Sequence, residues 1–255
     1  MNPWRLENKK AIVTGGTKGI GKAIADELLS LGAEVLLIAR NQNDLENTKE
    51  QYAKEGYQIE ILSADVSLPE DRQNIKEKTT QLWGSLDILV NNAGINIRKQ
   101  TNEYSIEDYR QLMAVNLESA WDLSRLFFDY LKASEGGNIV NIASVAGQRA
   151  LLTSTAAYAM AKAGMEQMTK FLAAEWGKDG IRINSVLPWY TRTPLAEQVL
   201  KDDAKKEKIL SRTPMLRIGE PEEVARAACF MAMPAASYIT GVSLPVDGGF
   251  LTLGI

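Results

Sequence analysis

Short runs of nearly uninterrupted apolar residues alternate along the chain with segments whose apolar positions recur at helical spacing. The runs fall at residues 10–14, 34–39, 59–63, 86–90, 138–143, 182–187 and 242–246. Runs this short, without a polar position at every second residue, predict strands buried on both faces, as in a parallel sheet. Between them, Ala23, Ile24, Leu28 and Leu31 mark a helix that stops at Gly32, and a polar-rich helix is predicted over 45–55. Ser67-Leu68-Pro69-Glu70-Asp71 has the chemistry of a helix start. A long helix is predicted over 106–132, apolar at Leu112, Val115, Leu117, Leu123, Leu126 and Leu131, with Asn116 interrupting its middle. Further helices are predicted over 156–176 and from Gly219-Glu220-Pro221-Glu222-Glu223 onward. Strand and helix in alternation predict one α/β domain across 1–255, a doubly wound parallel sheet of about seven strands flanked by helices, with ligands at the carboxyl ends of the strands. One stretch breaks the alternation: around 189–215, charged residues interleave with Leu195, Val199, Leu200, Ile209 and Leu210. An excursion of that length beside a strand end suits a substrate loop or lid.

Composition narrows the function more than it narrows the fold. The 255 residues are 45% hydrophobic and 24% charged with a net charge of -3, and the cations are scattered, so no nucleic-acid footprint is expected. No stretch approaches the roughly 20 apolar residues of a membrane span, and the first residues have no signal-peptide core, so a cytoplasmic protein is expected. One cysteine, Cys229, leaves no internal disulfide. Histidine is absent, which removes histidine general bases, serine-histidine-aspartate triads and histidine-ligated zinc; no metal site is expected. Proton chemistry must then come from Tyr, Lys, Asp, Glu or Ser.

Three stretches carry candidate chemistry. Gly15-Gly16-Thr17-Lys18-Gly19-Ile20-Gly21 lies between a buried strand and an amphipathic helix, where glycines let the backbone approach a pyrophosphate and the helix N-terminus favours its charge. The second strand ends at Arg40 rather than at an acid. With Lys18 nearby, two cations would flank a 2′-phosphate, and one charge-assisted bond of about 1.5–3 kcal/mol favours NADP over NAD by roughly ten- to a hundredfold. Asp65 ends the third strand, where it would meet an adenine amino group or else cap the next helix. Small and amide residues, Asn91-Asn92-Ala93-Gly94, close the fourth. The third stretch runs from Ser144 to Lys162. Tyr158 and Lys162 stand four apart on one helical face, and a phenol working near neutrality needs about 4 kcal/mol of phenolate stabilisation, for which an ammonium has the right sign. Taken alone, Tyr-x-x-x-Lys is more often a solvated pair; its setting gives it weight.

In this order and spacing, Thr14-Gly15-x-x-x-Gly19-x-Gly21, Asp65, Asn91-Asn92-Ala93-Gly94, Asn116, Ser144, Tyr158-x-x-x-Lys162, Pro188 with Thr193, and Asp247-Gly248-Gly249 resemble the short-chain dehydrogenase/reductase family over nearly the whole chain. Lys18 with Arg40, and Pro188-Trp189-Tyr190 ahead of Arg192-Thr193, resemble its tropinone-reductase-like members. The resemblance implies a Rossmann-type fold, NADP(H) as cofactor and an oxidoreductase acting on a CH-OH group or its carbonyl. It implies catalytic roles for four residues. Tyr158 would exchange a proton with the substrate oxygen and Ser144 would polarise that oxygen. Lys162 would bind the nicotinamide ribose and lower the tyrosine pKa, and Asn116 would hold a water linking Lys162 to solvent. The implied cofactor set is Gly15, Thr17, Lys18, Gly19, Ile20, Gly21, Arg40, Asp65, Val66, Asn92, Ala93, Gly94, Tyr158, Lys162, Pro188, Thr191 and Thr193. A homotetramer or homodimer is implied as well, with the helices around Asn116 and after Tyr158 at one interface.

Two positions depart from the family pattern. Ser144 precedes Tyr158 by fourteen residues, one more than expected, so the loop between must absorb a residue, with Ser154 or Thr155 as substitutes for Ser144. Trp189 stands where the family commonly has Gly, and it would shape the nicotinamide or substrate side of the pocket. The expected substrate set is Ser144, Leu151, Tyr158, Trp189, Tyr190 and Leu195, with Leu152 and the arginines Arg98, Arg149 and Arg192 also on the candidate walls. The leading expectation is an NADPH-dependent carbonyl reductase of a small or medium ketone. The alternatives are a 3-oxoacyl-carrier-protein reductase and a non-catalytic NADP-binding sensor or scaffold.

Overall fold

Ala11, Ile12 and Val13 are fully buried because both faces of their strand are covered. Val13 joins one core with Leu37, Val90, Val140 and Val186 of neighbouring strands, and with Ile24, Leu28, Val224 and Ala228. Ile12 points the other way, into a second core with Leu36, Leu89, Ile139 and Ile183, closed by Ile75, Leu123 and Leu172. The period of two along each strand therefore separates two apolar layers rather than core from solvent. Each fully buried aliphatic side chain contributes about 1.5–3 kcal/mol.

The structure, a computed structural model, describes residues 2–151 and 153–253. Its first half runs β1 Lys10–Thr14, α1 Gly19–Ser30, β2 Glu34–Ala39, α2 Gln42–Lys54, β3 Glu60–Ser63, α3 Pro69–Leu82 and β4 Ile88–Asn91. There follow α4 Ile106–Met113, a π-helical turn Ala114–Glu118, α5 Ser119–Leu126, α6 Phe128–Lys132, β5 Asn138–Ile142, α7 Ala156–Trp176, β6 Arg182–Pro188, α8 Pro194–Leu200, α9 Asp203–Ser211, α10 Pro221–Ala232 and β7 Ser243–Val246. All strand pairings are parallel, in the order β3-β2-β1-β4-β5-β6-β7. This is the Rossmann-type doubly wound sheet expected. The chain moves outward from β1 to β3, then crosses back to lay β4 on the other side of β1. That reversal opens a crevice beyond the carboxyl ends of β1 and β4.

The helix predicted over 106–132 is not continuous. Around Asn116 the backbone makes a π turn, with the Ser119 N–H bonded to the Ala114 carbonyl, and the helical run breaks again at Phe127. Asn116 is fully buried; its Nδ2 donates to the Ile95 carbonyl and its Oδ1 accepts from the Ile95 N–H, both at 2.8 Å. The amide nitrogens of Asn91 in β4 and Asn141 in β5 are also paired: Asn91 donates to Asn141 at 2.8 Å, and Asn141 to Thr169 of α7 at 2.9 Å. These bonds satisfy groups whose burial without partners would cost about 1–3 kcal/mol each. The excursion around 189–215 folds into α8 and α9, whose Ala196, Val199, Leu200 and Ile209 pack with Ile218, Trp189 and Tyr190. None of the described helices is long and apolar enough to cross a membrane.

Candidate active site

The crevice begins at the turn after β1. Gly19 adopts φ +55°, and Gly21 packs so tightly on the Gly15 carbonyl and Asn92 Nδ2 that no Cβ fits there. α1 starts at Gly19 with no side chain capping it and no acid in its first turn, so its leading N–H groups are left for a ligand. The loop after β4 is tied to this turn. Asn92 Nδ2 donates to the carbonyls of Thr14 at 2.8 Å and Gly15 at 3.1 Å, and the N–H groups of Asn92 and Ala93 both donate to Thr14 Oγ1 at 3.0 Å. Gly15, Lys18, Gly19, Ile20, Gly21, Asn92, Ala93 and Gly94 thereby form one wall of a cleft of about 330 Å³.

Arg40 and Asp65 lie beside this wall rather than on it. Arg40 sits between β2 and α2 with its side chain 65% exposed and Nη1 4.0 Å from Asp65 Oδ2. Lys18 Nζ reaches Asp44 Oδ2, in the first turn of α2, at 2.7 Å. Each cation at the end of β2 thus faces one acid. Asp65 does not cap α3, whose N-cap position is Leu68; its Oδ1 instead accepts from the N–H and hydroxyl of Ser67. Val66 is buried, its carbonyl accepting from Arg72 at 2.8 Å, while Thr17 is half-exposed at the turn. The reading of the sequence missed Asp44, because an acid in a helix's first turn is already accounted for by the helix.

The opposite wall is built by β5, α7 and β6. Thr155 caps α7 by accepting the Tyr158 N–H at 3.3 Å, which sets the helical phase that turns Tyr158 and Lys162 to the same side. Thr155 also bonds to Asn96 at 3.2 Å, and Asn96 donates to Ser154 at 3.3 Å, fastening this loop to the one after β4. Ser144 follows β5 as the N-cap of a short 3-10 turn, with the Ala146 N–H on its hydroxyl at 3.1 Å. In the loop that follows, Gln148, Arg149 and Ala150 are exposed.

Burial raises the Tyr158 pKa; the Ser144 hydroxyl beside the phenol and the positive charge of Arg98 pull it the other way. Lys162 Nζ is 5.8 Å from the centroid of the Tyr158 ring and donates to the Ile142 carbonyl at 2.7 Å. Desolvation lowers its pKa from 10.5 to about 8. Asn116 lies behind the cleft, against Ile95. Ser144, Tyr158 and Lys162 share the cleft with Leu151, Pro188, Trp189, Tyr190, Thr191, Thr193 and Leu195. Leu152 lies outside the described residues.

Trp189 lines the cleft at the end of β6. Its ring stacks on Phe250 with centroids 3.8 Å apart, meets Tyr190 edge-on at 4.7 Å, and donates Nε1–H to Thr213 at 3.0 Å. The side chain that replaces glycine here is a brace between β6, α9 and the C-terminal turn. Thr193 caps α8. Arg98 crosses from the β4 loop to α8, bonding Gln198 at 2.8 Å and the Leu195 carbonyl at 3.3 Å.

A phenol, a hydroxyl and a buried ammonium at the mouth of a glycine-lined cleft are equipped for proton transfer to a substrate oxygen beside a bound nucleotide. A family profile described as enoyl-(acyl carrier protein) reductase matches residues 15–251. A tropinone reductase homologue of Arabidopsis thaliana is 44% identical over 252 residues, 98% of this chain and 95% of that protein. One from Datura stramonium is 42% identical over 255 residues, with 98% and 95% covered. The crystal structure of a gluconate 5-dehydrogenase from Burkholderia cenocepacia, in complex with NADP and tartrate, superposes with a TM-score of 0.94 at 31% identity over 99% of both chains. With fold, strand order and full-length likeness in agreement, the chain belongs to the short-chain dehydrogenase/reductase family of oxidoreductases.

Proposed function

We propose that this protein is an NADPH-dependent carbonyl reductase, alcohol dehydrogenase in reverse, in which Tyr158 is the general acid/base. The observation that carries the reading is the gathering in one cleft of Tyr158, Ser144 and, one helical turn on, buried Lys162, with the uncapped N-terminus of α1.

The residues present fit the nucleotide. Free N–H groups at Gly19, Ile20 and Gly21 suit a pyrophosphate, Lys18 and Arg40 a 2′-phosphate, and Lys162 the nicotinamide ribose. Bound NADPH would supply the hydride to the carbonyl carbon and leave as NADP⁺. Ser144 orients and polarises the carbonyl oxygen, Tyr158 gives it a proton, and the cation of Lys162 favours the phenolate left behind. Asn116 fixes the Ile95 loop beneath Lys162 and would hold the water that returns the proton. Leu151, Trp189, Tyr190 and Leu195 would face the substrate, with α8 and α9 as its cover. The NADP bound in the gluconate 5-dehydrogenase and the names of the tropinone reductase homologues support this reading.

Assembly into a homotetramer belongs to the same proposal. Trp121 on α5 and Met160 and Phe171 on α7 are half or more exposed, which supports a second copy packing on these helices; a monomer in sedimentation velocity would remove that part. The reaction is tested by following NADPH and NADH consumption with cyclic ketones, diketones and 3-oxoacyl thioesters. Turnover preferring NADPH is expected; NADPH binding without turnover of any of them would favour a sensor or scaffold instead.

A further inference from the structure

The charged side chains on the cleft are all cations: Lys18, Arg98 and Lys162, with no acid among the described lining residues. Two of them have evident work. Lys18 is balanced by Asp44 at the nucleotide rim, and Lys162 is held by the Ile142 carbonyl under the reacting centre. Arg98 is different. Its two hydrogen-bond partners, Gln198 Oε1 and the Leu195 carbonyl, are both neutral. Its Nε–H is buried with no partner among the described residues. The adjacent cation, Lys99, is matched by Asp108 at 2.6 Å, so the loop places a carboxylate where only structure is at stake and leaves Arg98 without one.

A half-buried guanidinium with an idle donor and only neutral partners is stabilised by an anion, and its planar fork suits a carboxylate. Arg98 is also fixed in place. Asn116 holds Ile95, Asn96 is bonded to Ser154 and Thr155, and the Tyr104 hydroxyl is bonded to the Ile97 carbonyl. Its charge is felt at the phenol of Tyr158, on the substrate side of the cleft. We propose that Arg98 receives a carboxylate of the substrate, so that the compound reduced at Tyr158 is an oxo acid and its product the hydroxy acid. This rests on the reductase reading above. It specifies which half of the substrate α8 covers: the acid end, beneath Leu195 and Gln198.

The test pairs pyruvate, acetoacetate and levulinate each with its methyl ester. Affinity for the protein–NADP⁺ complex is measured by calorimetry and kcat/KM with NADPH, in the wild type, Arg98→Gln and Arg98→Lys. At least one acid should bind about tenfold or more tightly than its ester, as expected for charge-assisted bonds. Arg98→Gln should erase the preference by weakening the acid about tenfold or more beyond any change in the ester, and Arg98→Lys should retain part of it. Acid and ester binding alike, including neither binding, overturns the proposal, as does a preference that survives Arg98→Gln. Equal weakening of acid and ester also overturns it, marking Arg98 as a latch for α8 and nothing more. Failure of the reductase reading looks different: the acid preference stays intact in calorimetry while no NADPH is consumed.

Discussion

Lys162 Nζ donates to the carbonyl oxygen of Ile142 at 2.7 Å, so the end of β5 holds the ammonium that helical spacing sets beside Tyr158. The cost of this placement is visible in its pKa. Its folded value of about 8 lies below the ordinary 10.5, so the fold disfavours the charged form. Below about pH 8 the protonated side chain lowers stability by up to about 3 kcal/mol. The deficit shrinks as pH rises toward the unfolded value, where both states are neutral. Lys162→Met should therefore stabilise the cofactor-free protein against urea near pH 7, less the lost hydrogen bond, with the gain vanishing near pH 10, while turnover is lost. A variant that is less stable at both pH values would contradict this.

On the proposed role of Lys18, its pairing with Asp44 should compete with nucleotide binding. Both side chains are partly exposed, 60% and 32%, so the ion pair is weak. Asp44→Asn should tighten NADPH by about two- to fivefold in a fluorescence titration, whereas Arg40→Gln should weaken NADPH by about tenfold or more and leave NADH nearly unchanged. Weaker NADPH binding by Asp44→Asn would show that the acid positions Lys18 rather than competing for it.

Asp87 clamps the sheet at the end away from the cleft. Burial raises its pKa, but the Lys10 N–H, the Ser134 hydroxyl and the Lys9 ammonium outweigh it and hold the carboxyl below the ordinary value. A lowered folded pKa gives stability that is complete above the unfolded value near 4 and lost as pH falls through the folded one. Asp87→Asn should cost about 1–3 kcal/mol near pH 7, and its deficit against the wild type should narrow near pH 3 in urea unfolding. A constant deficit would place the effect in packing alone.

What the sequence revealed and what it concealed divide along physical lines. Ala11-Ile12-Val13 and its counterparts were legible because burial on both faces leaves an unbroken apolar run. Tyr158 and Lys162 were legible as a pair because four residues make nearly one helical turn and Thr155 starts that helix. The π turn at Asn116 carries no propensity signal of its own; it shows itself only as an amide where the helical stripe expects an apolar residue. The acceptor of Lys162 is a backbone carbonyl, which no side-chain identity marks. Asp44 facing Lys18, and Asn96 bonded to Thr155, are contacts across 26 and 59 residues that follow from strand order and not from spacing. Trp189 was legible as a departure from glycine, but its stacking on Phe250 depended on where the C-terminal turn returns.

The central claim is that the Tyr158 hydroxyl moves the proton, and Tyr158→Phe tests it by removing that oxygen and little else. With any carbonyl compound the wild type reduces, kcat with NADPH should fall by about a hundredfold or more, while NADPH affinity and thermal stability stay close to wild type. A Phe variant that reduces the same compound at the wild-type rate would contradict the account.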